Sequence, residues 1–378
     1  MYSLYNYGQM LADKPRMDAY IAALRRSVNK DSVVLDLGCG PGIFSMIACQ
    51  LGARRVYAVD PNPSIQIARE AAHTNGFADK IEFFEGISGD LRLTERVDTI
   101  ISDLRGVLPW YEELVPAIID ARERLLKPGG QLIPQRDLLF AAVVEAPEKY
   151  AELVGPWETN DFDCSSARKV ATNTWRKTHV SPQQLLCEPV CWKVLDYYAV
   201  NNPDLTEELS LQINRSGKAH GFILWFDAEL IEGIGFSNAP DKPALIYGNG
   251  LFLFSDPVDV VESDLVNLRI EAKLINGGYV WRWDTKILTE ANEVKCQFRQ
   301  STLFGTPLST TKLRKQSSAF RPDLTESGKV EHFILSLMTG TYSLEEIAEQ
   351  LQKQFPQRYS DWHQALNDVS TLSAEFSE

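Results

Sequence analysis

Between Ser32 and Pro134, short apolar runs alternate with segments whose apolar residues recur at helical spacing. Ser32–Leu37 (SVVLDL), Arg55–Val59, Lys80–Glu85 (KIEFFE) and Val97–Ser102 (VDTIIS) predict strands, and Gln131–Pro134 begins another. Gly42–Leu51, Ser64–Asn75 and Tyr111–Leu126 predict helices, the last stopped by Lys127–Gly130 (KPGG). Such alternation predicts an α/β region with a parallel sheet and helices on both faces. From Arg136 the texture changes. Leu138–Val144, Gly221–Leu230, Gly250–Phe254, Leu268–Leu274 and Tyr279–Leu288 predict strands dense in aromatic residues, among them Phe222, Trp225, Phe226, Trp281 and Trp283. Turn signals such as Asn276-Gly277-Gly278 separate them, which predicts an antiparallel sandwich or barrel. Phe304–Gly328 is polar, holds Pro307 and Pro322, and reads as a linker. Beyond it, Val330–Met338 is amphipathic, and Ser343 followed by Glu345 and Glu346 predicts a helix start.

Composition narrows the class. The 378 residues include 44% apolar and 24% charged residues, as in folded rather than disordered chains. With 38 basic and 51 acidic residues the formal charge is -13, which lacks the basic footprint of a nucleic-acid binder. No apolar run approaches the ~18 residues of a membrane span, and the N-terminus has no basic-then-apolar signal pattern. No nucleic-acid or membrane partner is expected, and the expected location is cytoplasmic. The six cysteines form no CxxC pair and lie apart from the five histidines, so reduced thiols and no metal site are expected.

The most specific local signal is Val34-Leu35-Asp36-Leu37-Gly38-Cys39-Gly40-Pro41-Gly42, which follows a strand and opens a helix. Glycines there let a ligand approach the backbone closely. Asp60 ends the next strand, where an acidic side chain accepts from ribose hydroxyls. The spacing is GxGxG rather than the dinucleotide GxGxxG, and a carboxylate at Asp36 would repel a pyrophosphate on the helix N-terminus. It suits a cofactor ending in an ammonium beside a sulfonium, which favours S-adenosylmethionine over NAD.

The segment VVLDLGCGPGIFSMIACQLGARRVYAVD resembles the cofactor-binding core of class I methyltransferases, and more narrowly of protein arginine methyltransferases. Met10-Leu11-Ala12-Asp13-Lys14-Pro15-Arg16 with Tyr20 resembles that family's helix over the cofactor. Ile101–Gly106 followed by Tyr111-Glu112 resembles its double-glutamate loop, and Gly235–Pro240 its barrel GFS---P segment. There are departures. The first loop acid is Asp103, Leu104-Arg105-Gly106-Val107 stands where W-M-G-Y is usual, and Leu245-Ile246-Tyr247 replaces the Thr-His-Trp loop. A divergent bacterial-type branch is implied.

The resemblance implies a fold in domains: an N-terminal helical segment (1–30), a Rossmann-like S-adenosylmethionine-binding domain (31–135), a β-barrel or sandwich domain for substrate and dimerisation (136–305), a linker (306–328) and a helical C-terminal module (329–378). Cofactor contacts are implied for Met10, Arg16, Asp36, Gly38, Cys39, Gly40, Gly42, Asp60, Pro61, Ile87, Ser88 and Asp103, with S-adenosylhomocysteine as product. Asp103 and Glu112 are the expected catalytic pair, since two carboxylates match a planar guanidinium. Tyr2, Tyr5, Tyr7, Arg105 and Tyr247 are expected around the acceptor, with Arg105 either pairing a loop acid or holding a substrate carboxylate. The implied acceptor is arginine in a peptide, in a protein or free. Another small-molecule N or O acceptor, or a silent cofactor-binding scaffold, is the alternative. A homodimer is implied, with Trp157–Arg176 as its arm. The tail faintly resembles winged-helix modules that recognise leader peptides, the alternative being a helical appendage.

Overall fold

The apolar runs of the first half fold as expected. The computed structural model describes residues 3–158 and 162–377, so Tyr2 lies outside the described residues. By contacts the chain divides into two units, Met1–Pro307 and Leu308–Glu378. In the first, helices Leu4–Ala12 (α1) and Lys14–Ser27 (α2) precede strand Val33–Leu37 (β1), helix Ile43–Gln50 (α3) and strand Arg55–Asp60 (β2). Helix Ile65–Thr74 (α4), strands Ile81–Glu85 (β3) and Val97–Ser102 (β4), helix Leu114–Arg124 (α5) and strand Leu126–Ile133 (β5) follow. The five strands are parallel in the order β3-β2-β1-β4-β5. β1 is buried along its whole length, as a central parallel strand covered on both faces must be. The strand order reverses between β1 and β4, which opens a crevice beyond their carboxyl ends.

Two local expectations change. The helix expected from Tyr111 begins at Leu114, because Glu112 adopts φ 44°, outside the helical region. Lys127–Gly130 ends the helix but is itself part of β5. Val97 faces Leu126 while Thr99 faces Gln131, so the Pro-Gly-Gly stretch bulges out of the ladder.

The rest of the first unit is two antiparallel sheets. Its strands are Arg136–Val144 (β6), Trp175–Thr178 (β7), Val190–Asp196 (β8), Leu205–Gln212 (β9), Gly217–Ile231 (β10) and Ile234–Ser237 (β11). Asn249–Val260 (β12), Leu265–Ile275 (β13), Gly278–Leu288 (β14) and Val294–Ser301 (β15) complete the set, with helices Pro147–Val154 (α6) and Ser165–Ala171 (α7) inserted after β6. One sheet runs β7-β12-β10-β6-β8 with β11 on β10, and the other runs β15-β14-β13-β9. Their faces meet through aromatic rings. Phe252 of β12 packs edge-on against Trp283 of β14 at 5.1 Å, and tilted against Trp281 at 5.6 Å. The expected tryptophan core is therefore present, both indoles being almost wholly buried.

The second unit holds helices Thr310–Lys315 (α8), Glu326–Leu337 (α9), Leu344–Gln354 (α10) and Trp362–Phe376 (α11). α8 lies inside the stretch read as linker. Val330, Ile334, Ile347, Leu351, Ala365 and Val369 form its core. Ser343 and Glu346 cap α10 reciprocally, as the sequence predicts. Among the described residues this unit has helices and turns but no strand, which fits a helical appendage better than a winged helix.

Gly221 of β10 faces β12 with no room for a side chain. An added Cβ would lie 2.2 Å from the Phe252 carbonyl oxygen and 2.8 Å from Leu253 Cα, both backbone atoms that cannot turn aside. Gly221→Ala is expected to cost about 2 kcal/mol, read as a lower urea midpoint. An unchanged midpoint would contradict this packing.

Candidate active site

The crevice beyond β1 and β4 is a cavity of ≈ 700 Å³. The glycine turn forms its floor. Gly38 has φ +78°, and a Cβ there would meet Leu104 Cδ2 at 2.1 Å. Gly40 has φ +50°, and its Cβ would meet the Tyr7 ring at 2.6 Å. Only glycine permits this backbone this close to its neighbours. The Asp60 carboxylate secures the turn: Oδ2 accepts from Gly40 N at 2.7 Å and Oδ1 from Asn62 N at 2.7 Å. Burial raises its pKa, while the two amides pull it back. Each oxygen keeps a further lone pair, and Asp60 lines the cavity.

The opposite wall comes from Gly86–Gly89. Arg124 of α5 holds this stretch by donating to the Ser88 carbonyl at 2.6 Å and the Leu91 carbonyl at 2.7 Å, itself steadied by Asp120 at 2.8 Å. The lid is α1 and the start of α2, which contribute Tyr7, Met10 and Arg16. Asp13 caps α2, accepting from Arg16 N, and its other oxygen accepts from Ile246 N at 2.7 Å. The backbone at Ile246 thus ties the helix to the barrel, where the expected family loop carries a histidine.

Arg16 reaches under the lid between Tyr20 and Phe44, 5.4 and 5.5 Å from the two rings. Its Nε donates to Asp103 Oδ2 at 2.6 Å, its Nη2 pairs with the same oxygen, and its Nη1 donates to the Met10 carbonyl at 3.1 Å. Tyr247 donates its hydroxyl to Asp103, and Arg105 Nη1 lies 3.2 Å from Asp103 Oδ1. Burial would raise the Asp103 pKa, but Arg16 and Arg105 outweigh it and hold the carboxyl below its ordinary range. Burial and the neighbouring carboxylate push the Tyr247 hydroxyl up, so it remains a donor.

Among the residues expected from sequence, Tyr7, Met10, Arg16, Gly38, Cys39, Asp60, Pro61, Ile87, Ser88, Asp103 and Glu112 all line this one cavity. Others stand elsewhere. Gly40 and Gly42 shape the turn from behind it, Gly42 as the left-handed N-cap of α3. Asp36, expected to face a cationic ligand, is buried behind the turn and accepts from Ser45 Oγ at 2.6 Å. Tyr5 is 73% exposed on the outer face of α1. Arg105 and Tyr247, expected on the acceptor pocket, lie behind its wall, because each is drawn inward to a buried carboxylate. Residues not foreseen also line the cavity, notably Phe44, Leu104, Glu113 and Gly277. Gly277 arrives from the β13–β14 hairpin tip, whose Asn-Gly-Gly turn was legible but whose long reach was not.

The side chains of Glu112 and Glu113 stand exposed at the mouth, in no hydrogen bond or ion pair among the described residues. Glu113 is the N-cap of α5 but makes no side-chain cap bond. Neither acid is spent on the helix. The cavity thus combines an acid at a strand end, a buried arginine and open acids at one mouth. That set fits a ligand with a diol, a carboxylate and a cationic centre. No metal-binding group of His, Cys, Asp and Glu occurs among the described residues.

Residues 135–277 match the family model described as arginine methyltransferase oligomerization subdomain, and residues 17–134 match that of ribosomal protein L11 methyltransferase (PrmA). The chain is 32% identical over 246 residues to the probable protein arginine N-methyltransferase 6 of Arabidopsis thaliana, covering 62% of this chain and 55% of that protein. It is 30% identical over 292 residues to protein arginine N-methyltransferase 2 of Homo sapiens, covering 72% of this chain and 67% of that protein. The structure of the Trypanosoma brucei PRMT1 enzyme–prozyme heterotetrameric complex with AdoHcy shares the fold, with TM-score 0.72 at 24% identity over 78% of this chain and 96% of that one. The chain belongs to the protein arginine N-methyltransferase family. It spans little more than half the length of the Arabidopsis relative.

Burial pushes the Asp36 carboxyl up to about 7, with Asp60 adding to the rise and Ser45 opposing it. A carboxyl whose folded pKa is raised costs nothing below its unfolded value near 4. Its cost grows as pH rises through about 7. Asp36→Asn removes that cost. The melting temperature of the variant relative to wild type is expected to climb between pH 4 and 8. A difference independent of pH would contradict the burial of a titrating Asp36.

Proposed function

We propose that the chain is an S-adenosylmethionine-dependent methyltransferase whose acceptor is a guanidinium nitrogen of arginine. One observation carries the reading: the glycine turn, Asp60, Arg16 and the loop acids all line a single cavity at the strand-order reversal. Family membership and the AdoHcy named in the Trypanosoma brucei complex support it. Bound in that cavity, S-adenosylmethionine would supply a methyl group activated by a sulfonium and leave as S-adenosylhomocysteine.

The chain's own residues do the rest. Asp60 would offer its free lone pairs to the ribose hydroxyls, the Gly86–Gly89 wall would flank the base, and Arg16 would present positive charge to the amino-acid carboxylate. Glu112 accepts N–H groups from an arginine guanidinium, which stays charged at neutral pH. Its negative charge offsets the repulsion between two cations brought together. Holding the acceptor nitrogen in line with the methyl supplies the larger share, since such positioning is worth about 7–11 kcal/mol. The displaced proton passes to water at the exposed mouth.

The acceptor class is a peptide, protein or free arginine. The matched oligomerization subdomain supports a homodimer built on residues 135–277. The arm expected at Trp157–Arg176 contains α7, with residues 159–161 outside the described set.

Labelled S-adenosylmethionine should transfer its methyl to an arginine-rich peptide, read by mass spectrometry. Glu112→Gln is expected to lower kcat/KM for the peptide about a hundredfold while leaving the affinity for S-adenosylhomocysteine as in wild type. Wild-type label that never reaches arginine would contradict the acceptor, and equal turnover in the variant would remove Glu112 from the site.

A further inference from the structure

Asp103 has no capacity left for a substrate. Four donors converge on it: Arg16 Nε, Arg16 Nη2, Arg105 Nη1 and the Tyr247 hydroxyl. A carboxylate offers about four lone-pair sites. Arg16 occupies Asp103 Oδ2 with two guanidinium nitrogens, an oxygen that an arginine substrate would otherwise seek.

Arg105 cannot swing away to relieve this. Its Nε and Nη2 grip the two oxygens of Asp137 at 3.3 and 3.1 Å, and its Nη1 also donates to Tyr20 at 2.9 Å. Asp137 is fully buried and accepts from Tyr197 at 2.6 Å. Phe226 packs against the guanidinium at 5.2 Å. The two arginines and two aspartates sum to zero charge, so this wall offers a cationic acceptor no uncompensated negative charge. Glu112, nine residues after Asp103 in sequence, carries no such partners.

We propose that Arg105 is a positioning residue: clamped by Asp137, it holds Asp103 as the counter-ion that aims Arg16 into the cofactor cavity, leaving Glu112 as the loop acid that meets the acceptor. This assignment rests on the cofactor reading above. It divides the two loop acids between two ligands, Asp103 serving the cofactor side and Glu112 the acceptor side.

The test separates the two sides in the full-length chain. Calorimetry measures S-adenosylhomocysteine affinity, and an arginine-rich peptide reports the acceptor KM. Asp103→Asn should weaken S-adenosylhomocysteine about tenfold or more, with the peptide KM within about twofold of wild type. Glu112→Gln should show the reverse pattern. Should Asp103→Asn fail to fold by circular dichroism, Arg105→Met combined with Asp137→Leu replaces the clamp by an apolar pair, an exchange that buried ion pairs often tolerate. That double variant should weaken S-adenosylhomocysteine several-fold and lower the peptide KM, since Asp103 regains a free lone pair. A dissociation constant within about twofold of wild type in the folded Asp103→Asn protein, or in the double variant where that protein does not fold, overturns the assignment. If the peptide is not a substrate, calorimetry alone decides. Wild-type protein that binds no S-adenosylhomocysteine would remove the cofactor reading and this assignment together.

Discussion

Two aspartates and two arginines share a space almost closed to water, and their mutual neutralisation constrains everything around it. A buried charge without a partner costs several kcal/mol. Arg16, Asp103, Arg105 and Asp137 therefore have to be assembled together or not at all. They come from a helix, from the loop after the fourth parallel strand and from the first barrel strand. Tyr197 and Tyr247 supply the remaining donors, and Tyr20 accepts from Arg105. The cluster is thus the joint through which α2, the parallel sheet and the antiparallel sheets of the first unit are held in register.

That joint explains the character of the cavity. Its inner wall is rigid and neutral overall, with one arginine presented inward beneath α1. Its floor is backbone, opened by glycines where any Cβ would collide with Leu104 or Tyr7. Carboxylate side chains with no hydrogen-bond donor stand at the mouth, where Glu112 sits at a positive φ that few non-glycine residues adopt. Binding and chemistry are therefore separated in space: a fixed inner end suited to a cofactor, and an open acidic end suited to a cation arriving from solvent.

The parallel half was legible because its strands are buried on both faces and read as continuous apolar runs, β1 most clearly. The glycine turn and Asp60 carried their own local signal. The barrel was harder. Strands such as β9 (LTEELSLQ) and β15 (VKCQFRQS) bury one face only and carry charges on the other, so they did not stand out. Arg105 stands where the loop departs from the family pattern, yet its partner Asp137 lies 32 residues away with no sequence pattern to link them. The same holds for Tyr247, 144 residues from the carboxylate it serves. Asp36 misled for another reason: a carboxylate beside a glycine turn looks available for a cation, but the turn folds over it and leaves it with Ser45.

The most direct measurement is a crystal structure of the chain grown with S-adenosylhomocysteine. Density should place the ligand's carboxylate against Arg16 and its ribose against Asp60, with Asp103 still paired to both arginines and Glu112 facing the sulfur from the mouth. A ligand bound away from Arg16, or an Asp103 turned out beside Glu112 with its arginine pairs broken, would contradict the account.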